Sequence, residues 1–248
     1  MSKRVLLPVM LLFFVGNGLV VAQEKREVRT ELSIVWGFAQ GAFGDNLDRP
    51  IPGILFSFGG RTPNLPLVLT TEIGWLNYGF DNYLEVRYPT GNAPVTGVSV
   101  VNVEMGNNIL MTHLVARVLP FEGEISPYID ALLGFKYLSS NVFIESEAIV
   151  DDGDLITFVD DGQILTSSTF DSFTISYGIG AGVDIVVFKE PDTGRTLSIN
   201  LGVRYLFGSE ADYLAENSIR AGASGVLFEQ IESDTDMLIP KLGMRIGL

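Results

Sequence analysis

With 30 acidic against 16 basic residues among 248, the chain carries a formal charge of −14, the wrong sign for a nucleic-acid binder, which needs a basic footprint. It has no cysteine, which excludes disulfide frameworks and thiolate metal sites. Hydrophobic residues make up 47% and charged residues only 19%, a balance at odds with a soluble β-protein, whose exposed strand faces carry more charge.

Met1-Ser2-Lys3-Arg4 is a short basic segment, and the stretch from Val5 to Val15 is nearly all apolar. Gly16-Asn17-Gly18 loosens that stretch, and Val20-Val21-Ala22 puts small residues where a signal peptidase reads them. The pattern predicts a signal peptide over 1–22, cleaved after Ala22, and a mature domain over 23–248 that begins Gln23-Glu24-Lys25. The apolar stretch is short for an uncleaved anchor, and no cysteine follows the site to make a lipoprotein. Beyond the leader no run approaches the ~20 apolar residues of a membrane helix. Lysine appears after Arg29 only as Lys136, Lys189 and Lys241. An apolar chain without helical spans is expected when one face of each strand meets lipid.

Alternating apolar and polar residues predict eight strands, over 31–43, 53–59, 66–78, 107–118, 127–139, 172–188, 196–207 and 237–248. In the sixth, Phe173, Ile175, Tyr177, Ile179, Ala181, Val183 and Ile185 oppose Thr174, Ser176, Gly178, Gly180, Gly182 and Asp184. In the seventh, Leu197, Ile199, Leu201, Val203 and Tyr205 oppose Ser198, Asn200, Gly202 and Arg204. The eighth sets Leu238, Leu242, Met244, Ile246 and Leu248 against Lys241, Gly243, Arg245 and Gly247.

Short turns rich in Pro, Gly and Asp join strands two and three (Gly60 to Asn64), four and five (Pro120 to Glu124) and six and seven (Glu190 to Gly194). Gaps of roughly 30 residues follow strands three, five and seven, the alternation of short periplasmic turns with long external loops expected of a membrane barrel. Only the first external loop, near Asp45-Asn46-Leu47-Asp48, is short. The N-terminus is therefore expected in the periplasm. Phe38, Phe43, Trp75, Tyr137, Phe173, Tyr205 and Phe207 are expected at an outer aromatic girdle, and Phe58, Tyr128 and Phe188 at an inner one.

In this topology, and in phrases such as Pro127-Tyr128-Ile129-Asp130-Ala131-Leu132-Leu133-Gly134 and Gly202-Val203-Arg204-Tyr205, the chain resembles the eight-stranded outer-membrane barrels typified by the OmpA transmembrane domain, OmpX and OmpW. The resemblance spans the mature chain. It implies an all-β fold: an eight-stranded antiparallel up-and-down transmembrane β-barrel with long external loops, in a bacterial outer membrane. Two departures stand out: such barrels usually end in Phe or Trp whereas this chain ends in Leu248, and no peptidoglycan-binding domain of the OmpA kind follows the barrel.

Strand parity points Glu31, Glu72, His113, Arg117, Asp130, Lys136, Asp184, Arg204, Lys241 and Arg245 into the lumen. Eight strands leave an interior just wide enough for side chains, and an unpaired buried charge is costly. A salt-bridged filling is expected, which Glu72 and Arg117 serve to test; a narrow polar path through rearranging pairs is the alternative, with Gly178, Gly180 and Gly182 leaving room for it. His113, the single histidine, has no serine two positions on in Met111-Thr112-His113-Leu114-Val115, so no catalytic pairing is legible, and no cofactor is expected.

The loops are acidic. Glu145, Glu147, Asp151, Asp152, Asp154, Asp160 and Asp161 fall between Asn141 and Thr169 without a single base. Asp151-Asp152-Gly153-Asp154 lacks the spaced ligands of an EF-hand and reads as a hairpin turn between the arms 147–150 and 155–159, so the strands are expected to continue as a protruding sheet. The expected role is structural or surface-interacting and non-enzymatic. The expected partners are membrane lipid, lipopolysaccharide and a surface partner of the acidic loops, the chain acting as a monomer. A pore for small solutes is the runner-up. A soluble lipocalin-like barrel, with its apolar face inward, is the outlying third reading.

Overall fold

The computed structural model describes residues 28–62, 65–87, 97–121, 123–151, 156–215, 218–222 and 225–248, with the side chains of 80–103, 144–166 and 219–227 left aside. The expected leader and Asp152-Gly153-Asp154 lie outside the described residues.

The alternating segments form the strands β1 (Val28–Ala39), β2 (Ile51–Arg61), β3 (Leu67–Arg87), β4 (Gly97–Val118), β5 (Ile125–Asp151), β6 (Ile156–Lys189) and β7 (Thr196–Gly208). Four short strands follow, β8 (Glu210–Tyr213), β9 (Ile219–Gly222), β10 (Gly225–Phe228) and β11 (Ile231–Asp234), before the last strand β12 (Met237–Gly247). Sequential strands from β1 to β7 pair antiparallel, β7 pairs with β12, and β12 pairs with β1, which closes an eight-stranded barrel. At that seam Glu31 lies opposite Arg245 and Ala39 opposite Met237. The two chain ends lock it, Val28 N–H donating to Leu248 at 3.1 Å and Leu248 N–H to Val28 at 2.8 Å.

Alternation decides which side chains face out. Along β1, Leu32, Ile34, Trp36 and Phe38 are exposed while Glu31, Ser33 and Val35 are buried. Ile54, Phe56, Ile129, Leu133, Ile175, Ile179, Leu201, Val203, Met244 and Ile246 continue the exposed apolar surface around the other strands. A continuous belt of this kind is far larger than the apolar patches of soluble monomers and is what hydrocarbon requires of a barrel exterior. It removes the lipocalin-like reading, in which the apolar face points inward.

All eight expected barrel strands are present, and their limits differ in three places. The first strand stops at Ala39 instead of 43, because Gly41 adopts φ 57°, a left-handed geometry that breaks a strand and suits glycine. A short helix, α1 (Gly41–Asn46), follows in its place. Much of the first two long gaps is sheet: β3 and β4 stay paired out to Arg87 opposite Ser99, and β5 and β6 out to Asp151 opposite Ile156. The pairing register shifts at Asn77/Gly79 in β3, and at Ile144/Glu145 and Ser146/Ala148 where β5 meets β6, as bulges do. The third long gap doubles back on itself, with β8 pairing β11 and β9 pairing β10.

An arginine on the belt should therefore behave as a charge placed in hydrocarbon. Leu201→Arg is expected to lower the unfolding free energy in lipid vesicles by about 2–4 kcal/mol if its position lies near mid-bilayer, while Asp192→Arg in the turn after β6 changes it by about 0.5 kcal/mol or less. Equal effects at the two positions, followed by denaturant titration, would remove the lipid-facing assignment.

Candidate functional site in the barrel lumen

The side chains facing inward divide the lumen into two layers. One end of the barrel carries Val28, Leu248 and the three short turns; the other carries α1 and the long connections. We refer to them as the turn end and the loop end.

Toward the turn end, eight of the ten expected charged residues meet. Arg117 on β4 makes a two-pronged contact with Asp130 on β5, Nε to Oδ1 at 2.8 Å and Nη2 to Oδ2 at 3.0 Å. The same guanidinium lies 3.7 Å from Glu31 and 3.6 Å from Asp184. Arg204 reaches across to Glu72 and also to Asp130 at 3.2 Å. Lys241 donates to Glu31 at 2.6 Å, and Arg245 bonds Glu31 at 3.2 Å and pairs with Asp184. Four carboxylates thus meet four cations in one connected, neutral cluster. Neutrality matters because removing one member of a buried set leaves an uncompensated charge. The partner of Glu72 is Arg204, on β7, and not Arg117.

Tyr128 shows how tightly this layer is filled. Its ring lies under the Arg117 guanidinium, 3.6 Å from the ring centroid, a cation–π contact. Its hydroxyl donates to Asn200 at 2.9 Å, and the Asn200 amide bonds Asp184. Room for the ring comes from Gly182 and Gly202, since a Cβ on either would collide with the Tyr128 hydroxyl. Gly178 and Gly180 are likewise occupied, by Leu206 and Arg204. The glycine face of β6 is therefore covered by side chains of the adjacent strands β5 and β7 and opens no path. Tyr128 is accordingly not an inner-girdle residue; strand parity turns it inward.

The remaining two expected residues stand apart. Lys136, fully buried on β5, donates to the backbone carbonyl of Thr235 just ahead of β12. His113 Nε2 lies 3.0 Å from Ser176 Oγ on β6, with Glu72 its register partner on β3. That spacing suits a base and a nucleophile, yet His113 is 1% and Ser176 0% exposed, so the pair is enclosed within the lumen. Sequence spacing did not reveal it because 63 positions separate the two. Among the described residues no cluster of three or more His, Asp or Glu could hold a metal ion.

Toward the loop end the lumen is filled mainly by apolar side chains. Val35, Ile51, Leu76, Ile109, Met111, Leu138, Leu206, Met237 and Ile239 pack into one buried cluster. Into its mouth drop Phe43 of α1 and Tyr213 of β8, edge to face with ring centroids 5.0 Å apart. Tyr213 accepts a bond from Asn46 at 3.1 Å and shares one with Ser233 at 3.0 Å. Phe43 is thus a stopper residue and not part of the outer girdle: once β1 ends at Ala39, the helix carries it over the lumen. This second layer was missed from sequence. Its signal is present in runs apolar at both parities, such as Ile109-Leu110-Met111 and Met237-Leu238-Ile239, which satisfy lipid on one side and the stopper on the other.

Of the outward aromatics that remain, Phe38, Trp75, Phe173 and Phe207 toward the loop end and Phe58 and Phe188 toward the turn end are exposed, and Tyr137 and Tyr205 are half-buried. Tyr177 stacks on Phe207 at 5.2 Å.

Asp130→Ala is expected to cost about 3–5 kcal/mol of unfolding free energy, as for other broken buried pairs, and the double variant Asp130→Ala/Arg117→Met to cost less than the sum of the single changes. Strict additivity in the same denaturant titrations would show that the cluster does not act as a unit.

No family model and no curated protein matches this chain. Among solved structures it aligns with Neisserial surface protein A over 90% of this chain and 96% of that one, at 12% identity and TM-score 0.34. It aligns with Ail, the attachment invasion locus protein of Yersinia pestis, in complex with the heparin analogue sucrose octasulfate, over 90% and 99%, at 12% identity and TM-score 0.41. A third is a major outer membrane protein from Thermus thermophilus, over 89% and 99%, at 13% identity and TM-score 0.38. Strand number, antiparallel pairing and closure make this chain an eight-stranded barrel similar in fold to the outer-membrane barrels.

Proposed function

We propose that the protein sits in a bacterial outer membrane with the turn end in the periplasm, and that it works there as a closed barrel with a structural or surface-interacting role. The observation that carries this reading is the double filling of the lumen. A solute entering from the loop end would meet Phe43, Tyr213 and the apolar cluster, and then the neutral charge cluster. Displacing either layer exposes buried groups, apolar in one case and charged in the other. The reading is tested by single-channel recording of the purified protein in planar bilayers. A flat trace is expected from the unaltered chain, and stable conductance steps would instead favour the solute-pore reading.

Activity on this reading belongs to the loop end. Asp171, Glu210, Asp212, Glu232 and Asp234 are exposed there, beside outward aromatics suited to an interface. Carboxylates at the level of lipopolysaccharide phosphates can share divalent cations with them, and the same acidic surface offers a partner protein a negative face. If lipopolysaccharide is a partner, magnesium should raise the melting temperature of the reconstituted protein in lipopolysaccharide-containing vesicles, and EDTA should abolish the rise. The same rise in pure phosphatidylcholine vesicles would remove lipopolysaccharide from this role.

A further inference from the structure

Outward-facing side chains on β3, β4, β5 and β6 line up across the strands, so the exterior of this half of the barrel is built of rungs. Trp75, Leu110, Tyr137 and Phe173 share one rung, and Asn77, Asn108, Ser139 and Asp171 share the next one toward the loop end. Gly106, Asn141 and Thr169 continue on β4, β5 and β6. The inward residues between these rungs, Leu76, Ile109 and Leu138, are buried, while Trp75 and Phe173 are 47% and 52% exposed. An aromatic rung at the upper limit of the lipid belt is thus followed directly by two polar ones.

The polar side chains are held to one another. Asn77 Nδ2 donates to Asn108 Oδ1 at 3.2 Å, Ser139 Oγ to Asp171 Oδ1 at 3.0 Å, and Thr169 Oγ1 to Asn141 Oδ1 at 3.1 Å. The Tyr137 hydroxyl also bonds Asp171, which ties the aromatic rung to the polar one. These contacts set side-chain directions before any ligand arrives, which lowers the cost of ordering, and each uses one of the several bonds an amide can make. Among them Gly106 leaves a dip in the surface, with nothing within 4 Å of where its Cβ would stand. Strands about 4.8 Å apart and alternate residues about 7 Å apart give the two polar rungs roughly 14 by 7 Å, room for a disaccharide.

The polar rungs carry amides, hydroxyls and one carboxylate, and no base. A phosphate or sulfate would lack the cation that recognises it and would face Asp171. A divalent ion would lack carboxylates, since among the described residues no cluster of three or more His, Asp or Glu could hold one. Uncharged hydroxyls both donate and accept, which matches side-chain amides, and the C–H face of a sugar ring suits the neighbouring aromatic rings. We propose that this strip binds the uncharged sugar headgroup of a glycolipid in the surrounding leaflet, with the lipid chains lying on the belt below Trp75 and Phe173. Continuity of the strip with the lipid-facing surface selects a lipid-borne sugar over a soluble one. The inference is independent of the divalent-cation contact proposed above and of whether the lumen conducts. It rests on the lipid-facing assignment of the belt, which the Leu201→Arg comparison tests separately.

The test uses the full-length protein folded in mixed micelles that contain diglucosyl diacylglycerol and phosphatidylcholine with the same acyl chains, in the presence of EDTA. Native mass spectrometry counts the lipid that each barrel retains. Preferential retention of the glycolipid is expected, falling about fivefold or more in Asn108→Ala/Asn141→Ala, the scale of two lost neutral hydrogen bonds, and unchanged in Asp192→Ala at the opposite end of the barrel. The heat-dependent mobility shift of a closed barrel on SDS gels checks that the variant is folded; Asn108→Ala alone replaces it if it is not. Equal retention of the two lipids, a preference that survives the substitutions, or binding of free maltose in place of the glycolipid overturns the proposal.

Discussion

A backbone in hydrocarbon must satisfy every N–H and C=O internally, and a sheet can do so only by closing on itself. In this protein closure is the pairing of β1 with β12 from Arg29 opposite Gly247 to Ala39 opposite Met237, secured by reciprocal bonds between Val28 and Leu248. Everything else follows from that seam. It sets the strand number at eight, and the strand number sets a lumen that side chains must fill. It also fixes the inward or outward sense of every residue, because alternation along a strand has a period of two.

The lumen is filled by two unlike means. At the turn end charge is balanced against charge: Arg117 serves Asp130, Glu31 and Asp184 together, and Arg204 bridges Glu72 and Asp130. Sharing of this kind matters because the desolvation of each ion must be offset by more than one contact. At the loop end the filling is apolar and comes partly from outside the barrel, as α1 contributes Phe43 and β8 contributes Tyr213. The short first connection and the long third one are thereby parts of the interior. Lys136 binds the Thr235 carbonyl and ties the third connection to the wall it covers.

The two ends consequently face their surroundings differently. The loop end presents a protruding sheet and exposed carboxylates over an apolar stopper, while the turn end presents an open cavity beside the neutral charge cluster. The opening at the turn end is lined by charges of both signs, Arg29, Arg61, Lys189 and Arg245 with Glu124 and Asp184. Such a grouping cannot arise from composition alone. It arises because the barrel brings the ends of β1, β2, β6 and β12 around one opening.

How much could be read without the fold varied by the range of the interaction. Strand alternation is local, so the sequence by itself determined the eight barrel strands, the parity of each charged residue, and the alternation of short and long connections. Leu197 through Tyr205 show this most clearly. What only the tertiary structure decided are side-chain contacts between strands: Arg204 with Glu72 across the lumen, His113 with Ser176 on either side of Gly134, and Tyr128 over the glycines of β6 and β7. The extension of β3 to β6 was partly hidden because charged residues interrupt the apolar alternation, and the backbone ladder continues regardless. The apolar stopper was hidden by the same physics in reverse. Where both faces of a strand are buried, one in lipid and one under Phe43 and Tyr213, alternation vanishes, and only the folded chain shows what the inward face is packed against.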